Sequence, residues 1–241
     1  MGISLTKSEN FNYSILKSHL EKADKGKKNL ILLSTGSYNP IHRMHLKIFQ
    51  LAYDHLKSLN LYNILCCFIS PSADCYVKHK KPPLIPFNLR CKMIESAIKE
   101  YKEEKKDEEL NIYLHKWEGS QKKFFDYPDV IKKIQHDINA YFKDIQLIYV
   151  CGMDHFFHCK NVLTKNVIAI DRKPFINSKL KDDPTKLLFM TKDEENDTDI
   201  YSSSNIRDFY KKNDLENINK ITFPNVAKMI IDFYGDNFYK K

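Results

Sequence analysis

The 241-residue chain is poor in tryptophan, with one, and in glycine, with six. It has no apolar run near the 18–20 residues, roughly, that a membrane helix requires, so a spanning helix is not expected. No signal-peptide pattern opens it, and none of its six cysteines forms a C-x-x-C pair. Cys66, Cys67, Cys75, Cys91, Cys151 and Cys159, four of them inside apolar stretches, therefore read as small buried residues. That usage suits a reducing intracellular compartment, cytoplasm or nucleus. Cys151, His155, His158 and Cys159 crowd into nine residues, whereas zinc ligand pairs usually sit on separate turns, so no metal site built from side chains is expected. Neither G-x-G-x-x-G nor G-x-x-x-x-G-K-[ST] occurs, which disfavours a dinucleotide fingerprint and a kinase-like NTPase. No basic strand interleaved with aromatics and no recognition helix supports a nucleic-acid partner. Internal repeats are also absent.

What is present begins with a core and a charge. Hydrophobic residues make up 42% and aromatics 12%, enough for a sizeable core. Lys and Arg number 39 against 31 Asp and Glu, and the net +8 invites an anionic partner. Residues 1–28 hold six lysines against three acids and little apolar periodicity. They read as a basic N-terminal extension, with residues 29–241 as the domain. M-G-I-S-L-T fits N-myristoylation at Gly2, so membrane contact is expected only if Gly2 is acylated. One acyl chain holds a membrane only marginally.

Short, nearly continuous apolar runs fall at 30–34, 64–70, 111–115, 145–151, 166–171 and 187–191, as strands covered on both faces should read. Helical stripes fall between them: Met44, Ile48, Leu51 and Ala52, then Leu89, Met93 and Ala97 after Pro86. Ile131, Ile134, Ile138 and Phe142 follow Pro128, and Val226, Ile230 and Phe233 follow Pro224. Such alternation predicts an α/β fold with a parallel sheet and right-handed crossovers. Residues 100–109 read as a solvated charge run, and 176–199 as a polar loop around a strand.

Two segments carry chemistry. In S-T-G-S-Y-N-P-I-H-R-M-H, ending at His45, a buried strand stops at Gly36, turns through Asn39-Pro40 and starts a helix near Ile41. His42 and His45, three apart on a first turn, point the same way and can donate to phosphate oxygens. Tyr201-Ser-Ser-Ser-Asn-Ile-Arg207 supplies serine caps and, one turn into a helix, an arginine whose planar fork suits phosphate. An ordinary capped helix with a surface arginine explains that segment equally well.

Together these segments resemble motifs of the nucleotidyltransferase superfamily of small α/β adenylyl- and cytidylyltransferases, G-x-[FY]-x-P-x-[HT]-x-x-H and I-S-S-T-x-x-R. Ile69-Ser-Pro-Ser-Ala-Asp-Cys-Tyr76, Leu84-Ile-Pro86, Trp117-Glu118, Cys151-Gly-Met-Asp154 and Ile170-Asp-Arg172 narrow the resemblance. They are similar to elements of the eukaryotic-type nicotinamide/nicotinate mononucleotide adenylyltransferases, in order, over about residues 30–235. The resemblance implies a Rossmann-like parallel sheet with helices on both faces, the nucleotidyltransferase fold. It implies adenylyl transfer from ATP to the mononucleotide with no covalent intermediate, giving NAD or deamido-NAD, and Mg²⁺ held mostly by phosphates and water.

By the same resemblance His42, His45 and Arg207 serve catalysis on the ATP phosphates, with Ser203, Ser204 and Asn205 beside them. Gly36, Gly152 and Asp154 complete the ATP side. Ser37, Tyr38, Lys78 (with Lys80 as a rival), Trp117, Phe124, Asp154 and Arg172 belong to the mononucleotide. Two departures stand out. Phe124 occupies the position of a tryptophan that stacks on the pyridine ring, and a second stacking tryptophan is missing, for which Phe156, Phe157 or Leu163 are candidates. Another small-molecule nucleotidyltransferase, or a nucleotide-binding or chaperone protein without turnover, is the alternative. A homo-oligomer is possible.

Overall fold

Six strands order the molecule: β1 (Lys28–Gly36), β2 (Tyr62–Pro71), β3 (Ile112–Leu114), β4 (Ile145–Gly152), β5 (Val167–Asp171) and β6 (Leu188–Lys192). The computed structural model describes residues 12–79, 84–106, 109–159, 161–172, 181–193 and 200–238. The strands form one sheet in the order β3-β2-β1-β4-β5-β6, with every neighbouring pair parallel. All six strands stand where the apolar runs placed them. Their continuity in apolarity follows from cover on both sides. Leu30 and Leu32 enter one core with Phe49, Met93 and Ile230, while Ile31 and Leu33 enter the other with Leu16, Ile134 and Met153.

The helices are α1 (Ser14–Glu21), α2 (Met44–Ser58), α3 (Asp74–Val77), α4 (Phe87–Lys105), α5 (Tyr127–Asn139), α6 (Met153–Cys159), α7 (Ser203–Lys211), α8 (Leu215–Ile221) and α9 (Pro224–Phe238). None among the described residues is long and apolar enough to cross a membrane.

Three expectations need correction. The helix after the first motif starts at Met44, not near Ile41. Ile41 is buried, and the Arg43 N–H is drawn to the Ile221 carbonyl, so residues 40–43 turn before the helix begins. The charge run is not wholly solvated, because α4 continues to Lys105 and buries Glu100 and Tyr101 on its inner face. Glu100 accepts from Ser96 Oγ and from the Asn225 N–H, satisfying one of the free amides at the head of α9.

The third correction concerns the leader. Residues 12–28 pack on the sheet rather than standing outside it: Tyr13 and Leu16 are buried, and the Tyr13 hydroxyl meets His115 Nε2 at 3.1 Å. His19 Nε2 lies 3.2 Å from the Tyr113 hydroxyl, a second tie between α1 and the strand beneath. A boundary at residue 28 would cut through packed structure. Gly2 lies outside the described residues.

Candidate active site

At the carboxyl ends of the two central strands the chain divides. After β1, α2 packs into one core, and after β4, α6 packs into the other. Their first turns therefore part, leaving a crevice at the point where strand order reverses, the usual ligand position in such sheets. The crevice is a cavity of about 340 Å³. That is the size of a small-ligand pocket.

One wall is built to meet anions. The His42 and His45 rings stack, centroids 3.5 Å apart at 24°, so the pair predicted from spacing does form. The backbone N–H of His42 donates to His45 Nδ1 at 3.1 Å. Nδ1 is thus an acceptor, and the imidazole proton sits on Nε2, free to donate outward. Burial, then Arg172, pushes His45 down to about 3. Burial, then His45 and Arg172, hold His42 well below the ordinary value. Both rings are therefore neutral at pH 7, donors rather than cations. His42 Nδ1 and Ser37 Oγ are buried polar atoms with no protein partner among the described residues, and both residues line the cavity. Arg172 supplies positive charge, its Nη1 resting 3.4 Å from the Tyr201 carbonyl. Ser202 caps α7, and the Ser203 hydroxyl donates to the Pro40 carbonyl, joining the second motif to the first.

The facing wall holds Gly152 and Asp154. A Cβ on Gly152 would stand 2.5 Å from Asp154 Oδ1, so the missing side chain is what makes room for that carboxylate. Beyond it an aromatic lining begins. Tyr149 bonds to Thr35 Oγ1 at 3.0 Å and stacks under Tyr127, with His155 edge-on to both. At the mouth, Phe124, 43% exposed, lies flat on Tyr76 with centroids 4.3 Å apart at 13°.

Gly36, Ser37, Tyr38, His42, His45, Phe124, Gly152, Asp154, Arg172 and Ser203 all line this cavity. Lys78, Trp117, Ser204, Asn205 and Arg207 do not. Lys78 is exposed at the end of α3, and Lys80 lies outside the described residues. Trp117 packs against Phe125 and beneath the Lys133 ammonium. Arg207 turns inward, donating to the Asn39 carbonyl at 2.6 Å and to Ser204 Oγ at 2.9 Å. It braces the turn that carries the histidines, because a buried carbonyl requires a donor. Asn205 likewise donates to the Ile200 carbonyl, holding the α7 approach. Phe156 and Leu163 are core residues and Phe157 packs beside them, so none replaces the missing tryptophan in the cavity. Among the described residues no three of His, Cys, Asp and Glu gather closely enough to hold a metal ion.

Two residues were given no site role from the sequence, Glu118 figuring only within the Trp117-Glu118 pair. Glu118 lines the cavity, buried, accepting from Ser70 Oγ at 2.8 Å and from Ser72. Burial lifts its carboxyl to about 7 against those hydrogen bonds and the Arg90 charge. Arg90, fully buried, donates to the carbonyls of Ile85, Ser37 and Ser72 and to Asp74 Oδ1, tying three loops of the site together. Its signal was present: Arg90 falls on the apolar stripe of Met93, Ile94 and Ala97, where an unpaired charge could not survive.

Residues 33–209 match the family model described as cytidylyltransferase-like. The chain is 34% identical over 120 residues to nicotinamide/nicotinic acid mononucleotide adenylyltransferase 1 of Bos taurus, covering 50% of this chain and 39% of that protein. It is 31% identical over 137 residues to the enzyme of that name from Oryza sativa subsp. japonica, covering 54% and 49%. The aligned part thus spans less than half of either relative. The Plasmodium falciparum nicotinic acid mononucleotide adenylyltransferase complexed with NaAD superposes with a TM-score of 0.63 at 22% identity, over 89% of this chain and 100% of that one. A second structure of that enzyme, complexed with APC, gives 0.62. With a family match running from the end of β1 into α7, and so across both walls of the cavity, the chain belongs to the cytidylyltransferase-like family.

Proposed function

We propose that this chain transfers the adenylyl group of ATP to nicotinamide or nicotinate mononucleotide. A phosphate oxygen of the mononucleotide attacks the α-phosphorus of ATP, the bond from that phosphorus to the bridging oxygen breaks, and pyrophosphate leaves. The product is NAD or its deamido form. The observation that carries the reading is one cavity with a neutral histidine pair beside Arg172 on one wall and Asp154 with an aromatic lining on the other. Relatives named for this reaction support it.

His45 Nε2–H donates to phosphate oxygens, and Arg172 draws charge from them as it develops. Asp154 accepts from ribose hydroxyls, and the aromatic lining takes the pyridine ring. Arg207 and Arg90 hold the loops in register, so that the reacting groups meet in line. The donor-rich anion wall fits Mg²⁺ carried on the nucleotide phosphates, with Asp154 as the nearby carboxylate for its water shell. When bound, Mg²⁺ neutralises phosphate charge.

The test is to incubate the protein with ATP, Mg²⁺ and each mononucleotide and separate the products chromatographically. NAD or deamido-NAD is expected with equimolar pyrophosphate. No product from either mononucleotide refutes the proposal.

A further inference from the structure

The sheet carries a second recess at its other end, by the amino termini of β1 and β4. It is a shallow, open recess of about 710 Å³, separated from the active site by the length of β1. Nine strand residues make that roughly 25–30 Å. Lys25, Lys27 and Lys28 line it against one carboxylate, Asp144. Lys27 is engaged by Asn60 Oδ1 at 2.5 Å and lies 4.0 Å from Asp24. Lys25 and Lys28 are exposed, and neither makes an ion pair or side-chain hydrogen bond among the described residues.

The three lining asparagines are oriented in one sense, while Gln146 beside them donates through its own Nε2. Asn29 Oδ1 accepts from Asn63, Asn139 Oδ1 from Gln135 Nε2, and Asn166 Oδ1 from Gln146 Nε2. Each of the three asparagines thus spends its oxygen on a neighbouring side chain and keeps its N–H₂ group without a protein acceptor among the described residues. Three carboxamide donors and two unpaired ammonium groups around one recess form a set that matches a ligand of many acceptors and negative charge. Among the described residues no aromatic ring lines it, so a base or ring has no platform there.

We propose that this recess is a second anion site, taking a small phosphate-bearing compound away from the catalytic cavity. Phosphate oxygens accept from Asn29, Asn139 and Asn166, while Lys25 and Lys28 supply the charge. A recess between strand ends and the end of α5 suits a compact anion better than an extended backbone.

The test uses the full chain and inorganic tripolyphosphate, followed through the side-chain N–H₂ resonances of Asn29, Asn139 and Asn166. Saturable shifts are expected, weakened at least tenfold in K25A/K28A, whose exposed side chains make no ion pair or side-chain hydrogen bond among the described residues. Adenylyl transfer by that variant should stay at the wild-type rate. Because the reporters sit at the recess itself, their response is separate from any binding at the catalytic cavity. Vesicles of phosphatidylcholine with and without phosphatidylinositol 4,5-bisphosphate distinguish the sources. Lysine-dependent binding to the latter identifies a lipid headgroup, and saturable shifts without vesicle binding identify a soluble phosphate. Absent or non-saturating shifts, shifts unchanged in K25A/K28A, or tighter lysine-dependent binding to duplex DNA would overturn the proposal.

Discussion

A histidine that contacts phosphate can bring charge or a directed neutral donor, and in the proposed reaction His42 and His45 bring the second. Stacked, buried and beside Arg172, they are held away from the imidazolium form, and the His42 amide determines which nitrogen of His45 carries the hydrogen. His45→Ala should therefore lower turnover by roughly 10²–10⁴-fold, the scale of a lost donor to a charged transition state. The urea midpoint of the variant shows whether the fold survives, and wild-type turnover would remove His45 from the mechanism. Gly152→Ala probes the opposite wall. Its Cβ would displace the Asp154 carboxylate, and KM for ATP should rise roughly tenfold, the scale of one charge-assisted hydrogen bond. An unchanged KM would show that Asp154 does not hold the nucleotide. His42 and His45 were legible from their spacing after a strand and turn, whereas Gly152 and Asp154 were legible only through the resemblance to the nucleotidyltransferases. Arg90 was legible as a charge on the apolar stripe of α4 and Glu118 as half of the Trp117-Glu118 pair, but their roles were not, since their partners at 37, 70, 72, 74 and 85 converge only in the folded chain. Arg207 was legible as an arginine near the site but not in its role, which the Asn39 carbonyl dictates.

At the scale of elements, strands read more easily than the segment before them. A parallel strand buried on both faces is apolar at every position, so its pattern survives without context. Helix α1 has only eight residues and commits one fully buried leucine, too little for a periodic stripe. Its attachment depends on Tyr13 and His19 finding His115 and Tyr113 about a hundred residues away. Leu16→Ala should accordingly destabilise the whole domain by about 2–5 kcal/mol, as a core deletion does. Urea denaturation measures it. A cost below about 0.5 kcal/mol, typical of surface changes, would return α1 to the status of an appendage.

For the whole molecule, buried titratable groups make stability depend on pH in two opposing directions. His42, His45 and His115 are depressed by burial, with His45 at about 3 and His115 at about 4. Below the ordinary 6.5 the unfolded chain takes up protons at these three positions while the fold refuses them, so they remove stability as pH falls. Glu118 acts the other way. Its carboxyl is raised from 4.5 to about 7, so the folded chain keeps a proton that the unfolded chain has lost. The stability this contributes is complete below 4.5 and gone once pH has risen past 7. Between pH 7 and 5 these three histidines, joined by the less buried His19, therefore oppose one carboxyl, and the protein should lose stability on acidification. Glu118→Gln removes the opposing group. Its unfolding free energy should fall more steeply over that interval, by roughly 1 kcal/mol per pH unit, near the 1.4 kcal/mol carried by one proton. His45→Gln should fall less steeply by a similar amount. Urea titrations at half-unit steps of pH give these slopes directly, and a slope unchanged in Glu118→Gln would mean that the carboxyl is already ionised inside the cavity at pH 5.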